Sequence, residues 1–187
     1  GFTNSGTISG TDTLFNMGDY TNSGDLVHAV IYTGQSFTNQ GTVTGVDSLY
    51  NAGTLTNGPS ALMEVDSLYN AGELTNDGTM DHVAFTNAGT YTNHGLVLFN
   101  DMINLAGVFH NPGSLTGTGS MTNAEDFFNH PDGTVTLAVS FLNAPLTVPP
   151  SPAAIFTNDG TVTIGDSWYN FDLVTGDTTG YWSVQDS

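Results

Sequence analysis

Asp47 and Asp66 each stand four residues ahead of an asparagine, Asn51 and Asn70, as Asp12 and Asp166 stand ahead of Asn16 and Asn170. If that interval sets Asp47 and Asp66 on neighbouring turns of chain, their carboxylates lie about 5 Å apart and repel. A hard cation such as Ca²⁺, which takes several oxygen ligands, would relieve the repulsion. Asp equally caps turns without any metal, and no Asp-rich calcium-loop consensus is present. The five histidines, His28, His82, His94, His110 and His130, are scattered with no tight ligand spacing and are expected mainly at the surface.

Catalysis has little else to draw on. The 18 acidic residues supply no specific pair for glycoside hydrolysis. Lyase chemistry on uronates needs Arg or Lys, and the chain has neither. No nucleophile motif, phosphate-cradling glycine loop or cysteine-based metal site is present. A non-enzymatic protein without a cofactor, Ca²⁺ aside, is the expectation.

The chemistry that does recur is that of a side-chain amide. The phrase apolar-x-Asn-x-Gly returns as Phe2–Gly6, Leu14–Gly18, Tyr20–Gly24 and onward. One series of asparagines runs Asn4, Asn22, Asn39, Asn57, Asn76, Asn93, Asn111, Asn129 and Asn158. The other runs Asn16, Asn51, Asn70, Asn87, Asn104, Asn123, Asn143 and Asn170. Steps within a series are usually 17 to 19 residues. Such a period marks a repeat architecture.

Apolar residues fall on a six-residue beat inside each repeat: Phe2, Ile8, Leu14, Tyr20, Leu26, Tyr32, and later Tyr91, Val97, Ile103, Phe109. The i, i+3, i+4, i+7 pattern of a helix is absent. Thr, Val, Tyr and Phe suit extended chain, while Gly and Asn suit bends. The expected fold is therefore all-β. It is a parallel β-helix (β-solenoid) of about nine coils, each with about 18 residues and three short strands, stacked about 4.8 Å apart. Residues two apart share a side, so the apolar residue and the Asn both point inward. An inward Asn can donate and accept along the stack, sparing buried polar groups a cost of about 1–3 kcal/mol each. The following Gly permits a sharp corner. Hairpin turns of an antiparallel sandwich could also carry Asn-x-Gly, but they do not require so regular a period.

One domain is expected over residues 1–187. A Pro-rich insertion at 144–155 and a segment at 171–187 without the phrase interrupt it, and Gly34-Gln35-Ser36 displaces the second-series Asn of coil two. With 18 acidic residues and no Lys or Arg, the net charge is −18. Nucleic acid and anionic membrane are thereby excluded as partners. The lack of cysteine and the composition fit a secreted, extracellular protein of the cell surface or matrix, and the chain reads as a mature, processed or excised product.

Stretches such as Phe37-Thr-Asn-Gln-Gly-Thr-Val-Thr-Gly-Val-Asp-Ser-Leu-Tyr-Asn-Ala-Gly-Thr-Leu-Thr-Asn57 resemble the repeats of filamentous-haemagglutinin-type adhesins. The resemblance implies a right-handed parallel β-helix, export and an adhesive role. It transfers no functional residue.

Two surfaces and two ends complete the reading. Thr3, Thr21, Thr38, Thr56, Thr75 and Thr92 form an outward column, of the kind found on ice-binding solenoids or simply on a solvated β face. The companion column, Phe15, Tyr50, Tyr69, Thr86 and Ile103, is a candidate interaction stripe for sugar rings or a neighbouring filament, or ordinary stacking along the rod. An open terminal coil, with Phe2 at one end and Tyr181 and Trp182 at the other, invites strand pairing with another copy. The function expected is a subunit stacking head to tail into a fibre. The alternative is a carbohydrate-binding or ice-binding rod that does not polymerise.

Overall fold

The computed structural model describes residues 1–144, 154–171, 173–175 and 181–184. Every strand pairing among them is parallel, and none of these residues is helical. Two sheets run the length of the molecule, one of ten strands and one of thirteen. Each strand of the first sheet lies one repeat from its neighbours, as in Phe37↔Leu55 and Asn57↔Asn76. The chain is a β-solenoid with a spacing of about 18 residues per turn.

Alternation along the strands explains the shape. In Leu62–Asn70, Met63, Val65, Leu68 and Asn70 are buried, but Asp66 and Ser67 both face solvent. Two outward residues in succession turn the chain by one corner without breaking the ladder. Asp47–Ser48 and Asn100–Asp101 do the same in Thr42–Asn51 and Leu96–Asn104. Two of the three expected strands per coil are therefore one bent strand of nine or ten residues in the first six turns. They are separate strands from Ser114–Gly117 and Met121–Asn123 onward, and these two pair side by side with the single strand Leu96–Asn104. One more residue lies between Gly117 and Met121 than between Phe99 and Met102, and it breaks the ladder there. In the earliest turns the same corner carries register shifts, including one at Gly45, which adopts φ 65°.

The six-residue beat slips where the bent strand has nine residues instead of ten. Ile31, not Tyr32, is buried, and Met102 takes the core position next to the exposed Ile103. Tyr32 points outward instead, in register with Phe15 and Tyr50. Inside, aromatic rings pile up from turn to turn: Tyr20 on Phe37 at 5.1 Å and Phe109 on Phe127 at 4.9 Å.

Residues 145–153 of the Pro-rich insertion lie outside the described residues, and Ala154 beside them is buried. The segment after Phe171 contributes strands as well. Leu173–Thr175 pairs with Ile155–Thr157, and Tyr181–Val184 pairs with Thr161–Ile164, so the winding extends past the last Asn phrase.

Candidate functional site

The asparagines form two hydrogen-bonded columns. In the first, each Nδ2 donates to the next Oδ1: Asn4 to Asn22 at 2.8 Å, Asn39 to Asn57 at 2.9 Å, Asn93 to Asn111 at 2.9 Å, Asn129 to Asn158 at 2.7 Å. In the second, Asn51 donates to Asn70 at 2.7 Å and Asn104 to Asn123 at 2.8 Å, continuing through Asn143 to Asn170. The slot that lacks Asn in coil two holds Thr33, fully buried, whose Oγ1 accepts from Asn16 Nδ2 at 3.1 Å. The same Nδ2 groups also reach backbone carbonyls of the next coil, as Asn57 does to Thr79. Several Oδ1 atoms accept from the Gly two residues on, as Asn51 does from Gly53. Apart from Asn158 Nδ2, which has no partner among the described residues, these amides are engaged within the rod and present little to a ligand. They hold the rod together.

The threonine column is in register on consecutive turns from Thr3 to Thr92. It then changes character, because His110 and Phe128 occupy the next two places. On another face, Tyr32, Tyr50 and Tyr69 stack at 5.2 Å with planes within 5° of parallel, and Phe15 leans on Tyr32 at 5.9 Å. The tyrosine faces are thus spent on one another, leaving ring edges and hydroxyls outward. Phe15, 69 % exposed, retains a free face.

Asp47 and Asp66 sit at the bent corner on neighbouring turns, flanked by the registered pairs Val46↔Val65 and Ser48↔Ser67. With Glu64 and Asp81 they line a cavity of about 270 Å³. Among the described residues no three His, Cys, Asp or Glu side chains come close enough to hold a metal ion. Exposure at the corner accounts for acidic side chains there without one.

His82 lies at the floor of that cavity and is not a surface residue. It is 2 % exposed, and neither ring nitrogen has a hydrogen-bond partner. Burial pushes its pKa down to about 3, so the ring is neutral. His94 pairs with Asp77 one turn away at 2.9 Å. His110 and His130, 20 residues apart, meet across one turn with Nδ1 and Nε2 at 3.2 Å. The sequence reading missed this contact. The clue to it is that the two histidines flank ladder asparagines of successive coils, Asn111 and Asn129.

Residues 17–164 match the family described as the BigA fourth domain. The chain belongs to that family. BigA-type domains belong to surface-exposed bacterial proteins, and the chain fits a bacterial surface, adhesin-like repeat protein. The likeness to filamentous-haemagglutinin repeats holds at that general level, not as membership of that particular group. Comparison with curated proteins and with solved structures matched nothing.

In this BigA fourth domain an apolar opening lies at the first coil. Phe2, Ile8, Leu14, Phe15, Met17 and Tyr20 line a cavity of about 520 Å³. Phe2 is 54 % and Met17 68 % exposed. The strands Phe2–Asn4 and Thr7–Asn16 are edge strands of the two sheets, each paired on one side. Tyr181 and Trp182 lie in Tyr181–Val184, at the opposite edge of the larger sheet; their side chains are outside the described residues.

Proposed function

We propose that this chain is a rod-shaped adhesin module of the bacterial cell surface that joins head to tail, the first coil of one copy stacking on the last coil of another. The apolar face of the first coil carries the proposal. Both sheets begin there on open edge strands, with unused backbone donors and acceptors around an exposed ring of Phe2, Phe15 and Met17. Both sheets end on edge strands that run in the same direction, so one end offers the pairing that the other lacks. A contact of this kind is heterologous and does not close, which makes a filament and not a ring.

An adhesin-like family and a solenoid whose internal asparagines hydrogen-bond to one another from turn to turn favour a structural, non-enzymatic role. The self-stacked tyrosines favour a rigid rod over a sugar platform, since sugars need open ring faces. The joint must overcome the repulsion of two chains of net charge −18, so salt should strengthen it.

Sedimentation and negative-stain electron microscopy of the purified chain test the proposal. The expected result is linear multimers that lengthen with concentration and with added NaCl, and that Phe2→Asp shortens. Single rods of uniform length at every concentration and salt level would overturn it.

A further inference from the structure

We propose that His110 and His130 form a binding site for a divalent late transition-metal ion, with Zn²⁺ and Cu²⁺ as the ions of choice. The carrying observation is geometric. His110 Nδ1 and His130 Nε2 face each other at 3.2 Å. Two imidazole nitrogens bound to one tetrahedral Zn²⁺ at about 2.0–2.1 Å stand about 3.4 Å apart. The nitrogen separation is within a few tenths of an ångström of that value, and a turn of each ring away from the other nitrogen aims both lone pairs at one ion.

The His110 ring and the His130 backbone are held in place before any ion arrives. His110 lies in Val108–Asn111 and stacks on Phe128 of the next turn at 5.1 Å, with planes 15° apart. His130 is fixed through its backbone: its N–H donates to Asn111 O at 3.0 Å, and its carbonyl accepts from Gly133 N–H at 2.8 Å. Pro131 follows and stiffens that turn. Part of the ordering entropy that a flexible pair would lose on binding is already spent in folding.

The chemistry of the two side chains selects the ion. Imidazole nitrogen suits Zn²⁺, Cu²⁺ and Ni²⁺, whereas Ca²⁺ and Mg²⁺ prefer oxygen. Asp126, on the same strand as Phe128, acts electrostatically on His110 and offsets part of the ion's charge. Among the described residues no third His, Cys, Asp or Glu joins the pair. The remaining coordination positions are thus open to water or to a donor from another molecule.

Isothermal titration calorimetry with Zn²⁺ and with Cu²⁺ at pH 7.5, in a non-chelating buffer, tests the site. The wild-type chain should bind one equivalent of either ion and give no signal with Ca²⁺. His110→Phe keeps the ring stack on Phe128 and His130→Gln keeps a polar side chain, so both variants should fold, as circular dichroism would verify. Each should weaken binding at least about tenfold, because the second ligand acts as an intramolecular one. His94→Gln should leave the affinity unchanged. Imidazole resonances in the NMR spectrum should shift for His110 and His130 alone. No binding to the wild-type chain, or equal affinity in either pair variant, would overturn the proposal.

Discussion

Asn57 Nδ2 lies 2.9 Å from Asn76 Oδ1 one turn away, while Asn57 Oδ1 accepts from Asn39 Nδ2 at 2.9 Å. The Asn57 amide is thus both donor and acceptor, and all three residues are fully buried. Asn57→Ala would strand a donor below and an acceptor above. The expected loss is about 2–4 kcal/mol, a fall in melting temperature of about 5–15 °C. Asn57→Asp should cost more, since it sets a buried carboxylate against the Asn76 carbonyl oxygen. Ser5→Ala, on the exposed rim, should change stability by no more than about 0.5 kcal/mol. Thermal melts by circular dichroism would measure all three.

The glycine of the phrase meets a different constraint. A methyl group added at Gly72 would collide with Gly53 O, and one at Gly89 with Gly72 O. The obstacle is backbone of the adjacent turn, which cannot swing aside. Gly72→Ala should therefore destabilise by about 3 kcal/mol or more, as the stacked turns are forced apart. Gly6→Ala meets nothing within 4 Å and should be close to neutral. Comparing the urea midpoints of the two variants would separate close approach from glycine's general flexibility.

The solenoid was legible because its two determinants are periodic in the sequence. The Asn-x-Gly spacing sets the turn length, and the alternation of apolar residue and Asn sets the inward side. What escaped the reading depends on single-residue changes in that length. A bent strand of nine residues instead of ten moves the core position from Tyr32 to Ile31 and from Ile103 to Met102. Thr33 can replace an Asn because its hydroxyl reaches the same acceptor position. The corner at Asp66–Ser67 carries no Gly or Pro, so nothing local announces that two sides form one bent strand. The His110–His130 contact was hidden because its spacing of 20 residues exceeds the usual repeat. Only after each histidine is placed beside its ladder asparagine do the two rings fall together.

Tyr50 stands between Tyr32 and Tyr69 with both ring faces covered. Tyr50→Ala removes two stacked contacts on the outside of the rod, with an expected cost of about 1–3 kcal/mol. It should also reduce the near-ultraviolet dichroism that coupled tyrosine rings produce. An unchanged melting midpoint would mean that the column contributes no stability and is free to serve a partner instead.

His82 ties stability to pH. Its folded pKa of about 3 lies below the ordinary histidine value of 6.5, so between those limits the unfolded chain takes up a proton that the folded chain refuses. The stabilisation is complete above about pH 6.5 and declines as pH falls towards 3, by about 1.4 kcal/mol per unit. The ring sits between Val65 and Phe99 in register and lies 5.5 Å from Phe85. His82→Phe puts an apolar ring among apolar neighbours and removes two buried nitrogens without partners. The variant should melt higher than wild type at pH 7, and the gap should widen steadily from pH 6.5 to pH 4. Acidic residues titrate in both proteins over the lower part of that range, so their contribution cancels in the difference. A gap that stays constant with pH would show that the buried imidazole finds a proton acceptor or a water in solution.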